Sequence, residues 1–559
     1  MDKDSAKDGL FEKNLLALSK RNRELSYRLS KIVVKESRYK FLESRAGEII
    51  PNWVDPEGAA HPLHSMMDPK REAKRLIETV QSEGFIVILG LGAGFYAEEA
   101  LKREESCFVL VIEYDLSGLA ELLRQRDYTC LFNDPRFSMA VDLYGEELQH
   151  FILNLYQPVL FGGIKVIPLR ARTGFDGESF ANAVKAIEGA IDQASSDYSV
   201  QASFGRRWLS NIIRNLKSAG EVNGSVSPIR KAAVCAAGPS LSFQIPVIQN
   251  KRKDIFLIAV DTSLPCLLSA GITPDAVISI DCQHISYYHF MDGFPENALF
   301  FLDLASPPLL ASYSKNLRFF ASAHPLARHI SQVWKKLPEL DTSGGNVTYA
   351  AVSLAEQLGA SVIELYGADY SYPGGVSYAR GAYIYSLFAK RQNRLSPIEA
   401  QCSDFLYRTP LEKINCRPDS AGSWYYENRL LKFYREALEK KSLSMEAAIL
   451  PEKGLGASIR VKHIENLKNK YGIISFSKAA TQAEDFLLHY KSGIANLPMP
   501  EKNAALYLGS LNDEQKSIFA TILPLAAALK HRNSIADYRE LIEETKAYTI
   551  KQIDKVLAE

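Results

Sequence analysis

The stretch "KAAVCAAGPSLSFQIP", residues 231–246, decides how the centre of the chain is read. An apolar run from Ala232 to Ala237 stops at Gly238-Pro239-Ser240 and passes into a helix-like segment. Such an ending is either a plain turn or a phosphate seat at the carboxyl end of a parallel strand. A glycine lets the backbone approach a ligand, and a helix amino terminus attracts negative charge. The downstream sequence favours the seat. "AVDTSL" ends a strand in Asp261-Thr262, and "GITPDAVISID" ends the next in Asp281. "DTSGGNVTYAAVSLAEQLG" places Thr342-Ser343-Gly344-Gly345-Asn346 directly before a helix. "GADYSYPGGVSY" ends a strand in Asp369 and supplies Tyr370, Tyr372 and Tyr378. Alone, each strand-end aspartate reads as a cap or turn residue. Together they are expected on one rim, because ligands of open α/β sheets bind at the carboxyl ends of the strands.

A second glycine turn lies upstream. "GFIVILGLGAGFYAEEALKR" reads as strand, turn and helix, with Gly90, Gly92 and Gly94 in the turn. "CFVLVIEYD" follows as a strand and carries Glu113, which could accept from ribose hydroxyls. The spacing is GxGxG, without the third glycine of GxGxxG, and looks more like an adenosylmethionine turn than a dinucleotide turn. The competing reading is an empty strand-to-helix turn inherited with the fold. "FSMAVDLYG" is a third strand, and "DPKREAKRLIETVQS" is a helix with an Asp-Pro start.

The chain has 559 residues, too many for one core, so several domains are expected. A formal net charge of +1 argues against nucleic acid or an anionic membrane as partner. Seven scattered cysteines form no CxxC and point to reduced thiols in a cytoplasm. The amino terminus has no apolar h-region of a signal peptide. The longest apolar run, "IFATILPLAAAL", is too short to span a bilayer and contains Pro524, so a buried helix is expected.

Strands alternating with helices imply parallel, doubly wound sheets. The expected architecture is α/β: two Rossmann-like domains and a carboxyl-terminal helical bundle. The boundaries read as 1–65 (helix and extension), 66–224 (first α/β domain), 225–465 (second) and 466–559 (helical). Residues 175–220 read as long helices, "EVNGSVSPIR" as a linker, and "ASIRVKHI" as the strand that closes the second sheet.

The segments "VCAAGPSLSFQIPVI", "AVDTSLPCLLSAGITPDAVISID" and "LGASVIELYGADYSYPGG" resemble the domain shared by motility-associated-factor (Maf) glycosyltransferases and MptE-like proteins. Their order is also similar to that in Campylobacter-type sialyltransferases, which carry a GPS turn, a TSG loop and a GxD strand end followed by tyrosines. The resemblance covers about residues 225–465. It implies transfer of a nonulosonic acid from a CMP-activated donor to serine or threonine of flagellin or a similar acceptor. The implied nucleotide site is Gly238, Pro239, Ser240, Asp261, Thr262, Thr342, Ser343, Gly344, Gly345, Asn346, Tyr370, Tyr372 and Tyr378. Asp281, His284 and Asp369 are the expected catalytic groups. Two features depart from the sialyltransferases: Ala237 stands where they have asparagine, and no histidine occurs between His329 and His463. The base is therefore sought at His284, His324 or Asp281. The MptE-like side of the resemblance implies the runner-up, an ATP-dependent 6-hydroxymethylpterin diphosphokinase, with magnesium on Asp261, Asp281 and Asp369. A third reading is a non-catalytic scaffold.

Overall fold

The structure is a computed structural model and describes residues 3–34, 37–81, 83–103, 108–415, 424–462, 474–501 and 503–559. Cys107, Cys416 and the last two residues of "ASIRVKHI" lie outside the described residues. The chain divides into two compact units. The first comprises Met1–Gly205, Asn496–Phe519 and Leu523–Ala547; the second comprises Arg206–Ala495, Ala520–Ile522 and Tyr548–Glu559.

The first unit holds a parallel sheet of β1 (Phe85–Leu89), β2 (Phe108–Glu113), β3 (Phe137–Val141) and β4 (Ile164–Pro168). Its strand order is β3-β2-β1-β4, so the winding reverses between β1 and β4. The central strand, "FIVIL", is buried at every position, as a strand covered on both faces must be. Residues 37–65 differ from the expected loose extension. They form a three-stranded antiparallel meander of Tyr39–Glu43, Ile49–Val54 and Ala60–Pro62. Gly47 and Gly58 make its turns at positive φ. Trp53 from the meander stacks on Phe175 with ring centroids 3.8 Å apart.

The second unit is built on β5 (Lys231–Cys235), β6 (Phe256–Val260), β7 (Ala276–Ser279), β8 (Leu299–Asp303), β9 (Leu317–Phe320), β10 (Val362–Tyr366) and β11 (Ala448–Pro451). All seven are parallel, in the order β9-β8-β7-β6-β5-β10-β11. The winding therefore reverses between β5 and β10. The closing strand is β11, not "ASIRVKHI", whose described residues 457–462 carry no strand. The "EVNGSVSPIR" segment is not a free linker: Gly224–Val226 pairs with Ile474–Phe476.

Residues 175–220 contain a single 45-residue helix, Gly177–Glu221, which passes from one unit into the other at Arg206. Its last part is integral to the second sheet. Asn211 and Asn215 lie one turn apart on one face, and both are buried. Asn211 Nδ2 donates to the carbonyls of Cys282 and Ala305 at 3.1 and 2.8 Å. Asn215 Nδ2 donates to Leu304 and Ser306 at 2.9 and 2.8 Å. Four strand-end carbonyls that would otherwise be buried unpaired are thus satisfied. The second compact unit accordingly includes the helix from Arg206 onward. The tail is helical from Ala483 to Ala558, as expected, and its residues are shared between the two compact units. The "IFATILPLAAAL" run lies in the helix Asp513–Asn533, and among the described residues no helix is long and apolar enough to cross a membrane.

Replacing Asn215 with alanine leaves the Leu304 and Ser306 carbonyls without their donor. The expected loss is about 1–3 kcal/mol. Native-state hydrogen exchange of β8 amides should show it, whereas exchange in β1 should not change.

Candidate active site

The chain leaves β5 at the point where the sheet reverses, and there the Gly238-Pro239-Ser240 turn is spent on the protein itself. Gly238 N–H donates to the Gly367 carbonyl at 2.8 Å. Ser240 N–H donates to Asp369 Oδ2 at 2.8 Å, and its hydroxyl to Asp369 Oδ1 at 2.5 Å. Leu455 N–H donates to Ser240 Oγ at 2.7 Å, and Gly456 N–H to Asp369 Oδ1 at 3.1 Å. A side chain on Gly238 would run into the Asp369 carboxylate and the Gly367 carbonyl. Pro239 is buried and has no N–H to offer. Asp369, expected as a catalytic group, is therefore a clamp joining the ends of β5 and β10 to the 454–457 loop. Its pKa is raised, by burial first, against the opposing pull of the Ser240 and Gly456 donors.

The open chemistry lies one and two strands away. Asp261, after β6, is 1% exposed. It accepts from Ser279 Oγ and from Thr262 N–H, both at 2.7 Å. Thr262 is half-buried beside it. Ser263 fastens this rim to the β5 end by donating to the Cys235 carbonyl at 2.7 Å. Asp281, after β7, accepts from Gln283 N–H at 2.9 Å. Its pKa is raised by burial and by the charge of Asp261, against the Gln283 hydrogen bond.

The histidine that joins these acids is His289, not His284. Both lie on the 3₁₀ turn His284–Phe290. His284 is exposed, whereas His289 is 5% exposed and packs edge-on against Tyr383 at 4.4 Å between ring centroids. Nδ1 of His289 is buried without a partner among the described residues. Burial lowers its pKa, while Asp261 and Asp281 pull it back up. His324 is committed elsewhere: its Nδ1 caps a helix by accepting from Leu326 N–H at 3.1 Å, and burial lowers its pKa to about 3. Sequence alone favoured His284 because it follows a strand-end acid. The five-residue offset to His289 gains meaning only on a tight 3₁₀ turn.

The tyrosine segment covers this rim. Ala379 N–H donates to the Ala237 carbonyl at 2.9 Å, and Arg380 N–H to Ser242 Oγ at 3.1 Å. Tyr378 and Tyr383 lie 6.4 Å apart by ring centroids, and Tyr372 and Asp261 both act on Tyr378 electrostatically. Burial raises the pKa of Tyr372, Tyr378 and Tyr383 alike, so their hydroxyls stay protonated donors. Tyr370 differs from the other tyrosines. It sits in the core at φ 45° with its hydroxyl unpartnered among the described residues, an uncommon conformation for an aromatic residue.

The glycine-rich loop is also organised internally. Asn346 caps the helix Val347–Gln357 by accepting from Tyr349 N–H at 3.0 Å. Its Nδ2 donates to the Gly344 carbonyl at 3.0 Å, and Gly345 N–H donates to the Thr342 carbonyl at 3.0 Å. Ser343 Oγ donates to Asp341 at 2.7 Å, and Tyr349 Oη and Lys441 Nζ reach the same carboxylate at 2.8 and 2.9 Å. Burial raises the Asp341 pKa, but the bonds from Ser343, Lys441 and Tyr349 outweigh it and hold the group well below the carboxylate range. Asp341 stands in the quoted loop, yet sequence reading passed it over because its value comes from Lys441, a hundred residues away. With Tyr349 N–H taken by the cap, the Val347 and Thr348 N–H groups stay available for an anion among the described residues. A side chain on Gly345 would meet the Tyr434 ring at 3.2 Å, and Tyr434 feels the Asp281 charge, so Tyr434 lies between the loop and the β7 rim.

The amino-terminal glycine turn holds no comparable opening. Gly90, Gly92 and Gly94 all have positive φ, as a turn of this type needs. Glu113 accepts from Leu91 N–H at 3.0 Å and is clamped by Arg172 Nη1 at 2.5 and 2.7 Å. His64 Nε2 accepts from Ala93 N–H at 3.0 Å and fills the space beside Gly92. The ribose acceptor expected in Glu113 is thus satisfied by the protein's own guanidinium. Among the described residues, no three His, Cys, Asp or Glu side chains converge to hold a metal. Asp261, Asp281 and Asp369 do not form the magnesium set expected for a diphosphokinase.

Residues 206–375 match the family model described as 6-hydroxymethylpterin diphosphokinase MptE-like. The match begins where the second unit begins. A solved structure of the MAf glycosyltransferase from Magnetospirillum magneticum AMB-1 is similar over 98% of this chain and 96% of that one, with TM-score 0.60 and 13% identity. Residues 206–375 thus match the MptE-like family model, and the whole length has the fold of a Maf glycosyltransferase. An uncharacterized protein of Treponema pallidum (strain Nichols) is 34% identical over 190 residues, 33% of this chain and 66% of the relative. Another from the same organism is 32% identical over 139 residues, 24% of this chain and 66% of the relative. The chain spans about two thirds of the length of these relatives.

A buried carboxyl that sequence reading left out, Asp303 at the end of β8, has its pKa pushed up to about 6, chiefly by burial. Donation from Ala305 N–H at 2.8 Å opposes the shift only in part. The folded chain holds this proton to higher pH than the unfolded chain. Stability should therefore fall as pH rises from 3.8 to about 6, by about 3 kcal/mol. Asp303→Asn should flatten that slope in denaturant titrations followed by exchange of β8 amides.

Proposed function

We propose that the protein is a glycosyltransferase that moves a nonulosonic acid from a CMP-activated donor to a serine or threonine hydroxyl of flagellin or a similar acceptor protein. The observation that carries this reading is His289 at the rim, whose Nδ1 has no partner among the described residues and which lies near Asp261, Asp281 and Tyr383. The likeness of the whole chain to a Maf glycosyltransferase fold supports it. The acceptor oxygen attacks the anomeric carbon and forms the new glycosidic bond. The bond from that carbon to the phosphate oxygen breaks, and CMP departs with the electron pair. His289 takes the hydroxyl proton, and Asp261 and Asp281 stabilise the imidazolium that results. The Val347 and Thr348 N–H groups that open the helix, with the Tyr378 and Tyr383 hydroxyls, receive the phosphate as its charge grows. This reading needs no metal. A cytoplasmic site of action follows from the donor.

The family description supports a second reading, pyrophosphoryl transfer from ATP to a hydroxymethylpterin. Calorimetry of the full chain with CMP, CTP and ATP, with and without magnesium, separates the two. CMP preference independent of magnesium is expected. Magnesium-dependent preference for ATP would replace the proposal with the diphosphokinase, and no binding at millimolar concentration would favour a scaffold.

His289→Ala should lower transfer by about 10²–10⁴-fold, the usual contribution of a positioned base. CMP affinity should change by no more than a few-fold. His284→Ala should change neither quantity, and equal loss in both variants would remove His289 from this role.

A further inference from the structure

The first unit has its own point of strand reversal, between β1 and β4, and its glycine turn there is closed by His64, Glu113 and Arg172. The crevice is not abolished by this closure; it is moved outward. A cavity of about 510 Å³ lies just outside, lined by Ser65, Arg71, Glu72, Arg75, Tyr96 and Arg170. Tyr96 belongs to the helix that follows β1, and Arg170 to the loop that follows β4, so the cavity straddles the reversal.

Its charge is unusual. Arg71 and Arg75 project from successive turns of the helix Pro69–Ile77, and Arg170 faces them closely enough to act on Tyr96 electrostatically. Among the described residues none of the three guanidiniums has a hydrogen-bond or ion-pair partner. The two carboxylates at the cavity bond to backbone N–H groups and a hydroxyl rather than to the guanidiniums. Asp68 caps the helix by accepting from Arg71 N–H at 2.9 Å. Glu72 accepts from Ser65 N–H at 2.9 Å and bonds the Tyr96 hydroxyl. Three guanidiniums against the two carboxylates of Asp68 and Glu72 leave the concavity net positive, and a doubly charged anion offsets that excess.

The geometry points to a second ligand site in the first unit, which takes a phosphorylated small molecule with its phosphate among Arg71, Arg75 and Arg170. Five donors on each guanidinium match phosphate oxygens in pairs. The cavity has the size of an ordinary metabolite site and could enclose a sugar or similar body beyond the phosphate. This site is independent of the chemistry proposed for the second unit.

The test is calorimetry of the full chain at physiological salt with three probes: N-acetylglucosamine 6-phosphate, inorganic phosphate and N-acetylneuraminate. The sugar phosphate is expected to bind with a submillimolar Kd. Arg75→Ala with Arg170→Ala should weaken it at least tenfold, and Arg170→Lys by less. Asp281→Asn, in the second unit, should leave it unchanged. The three arginines are exposed, so the melting profile should survive their replacement. Equal binding of inorganic phosphate would support the anion seat and assign it no sugar contact. Binding of N-acetylneuraminate alone, lost in the same double variant, would overturn the phosphate assignment. Absence of binding by all three probes, or binding that the arginine variants leave intact, would overturn the site.

Discussion

The second unit depends on one clamp, the Asp369 carboxylate held by Ser240. At the reversal of a doubly wound sheet, two neighbouring strands send their chains to opposite faces, and the backbone groups between them lose their ladder partners. Here the gap is closed by Gly238 N–H on the Gly367 carbonyl and by three donors on one carboxylate. Hydrogen bonds to a charged acceptor are the strong ones, roughly twice a neutral pair. They also fix position: with Asp369 seated, the ends of β5 and β10 cannot separate, and the tyrosine segment that follows Asp369 is launched from a fixed point. Ala379 can then return to the Ala237 carbonyl, which places Tyr378 and Tyr383 over the β6 and β7 ends. The glycine at 238 is required by this contact rather than by a ligand, since any side chain there would displace the carboxylate.

The first unit solves the same problem differently. Its reversal is closed by Glu113 and Arg172, 1% and 2% exposed. A buried ion pair gains little by itself, because removing both charges from water costs as much as their attraction returns. It becomes tolerable when the remaining hydrogen-bonding positions are filled, and here Leu91 N–H, Tyr114 N–H and Asp176 fill them. The two glycine turns thus look alike in sequence and both end as internal joints, one neutral-to-anion and one ionic.

That likeness explains what the sequence could and could not reveal. Strands β1 to β3 and β5 to β10 were legible as short apolar runs, most of which end in a glycine or an acid. Strand β11 was not: "AAILPE" is shorter and less patterned than "ASIRVKHI", whose alternation imitates a strand. The rim was legible as a set of strand-end polar residues, but their roles were not. Whether Asp369 is free or clamped depends on Leu455 and Gly456, far along the chain. The same distance hid Asp341 and its lysine, and the four carbonyls held by Asn211 and Asn215. The helical tail read as a bundle because an apolar stripe states that it is covered without stating by what.

The site's electrostatics follow from where the unclamped polar groups remain. An isolated buried imidazole resists a proton, and an isolated buried carboxyl resists losing one. Placed together, each offsets the other's penalty once a proton moves to the imidazole, because the new positive charge then lies near two acids in a medium that screens little. In the proposed transfer, His289 takes the proton of the acceptor hydroxyl with the two acids facing it. Asp261 is fixed for that task by Ser279 and Thr262, whereas Asp281 is tied by one bond and shifts upward in pKa. The stiff acid sets the field and the softer one adjusts to it. A clamp at Asp369 is what makes this division possible, since it takes the third strand-end acid out of the crevice and leaves a single histidine facing two carboxylates instead of three.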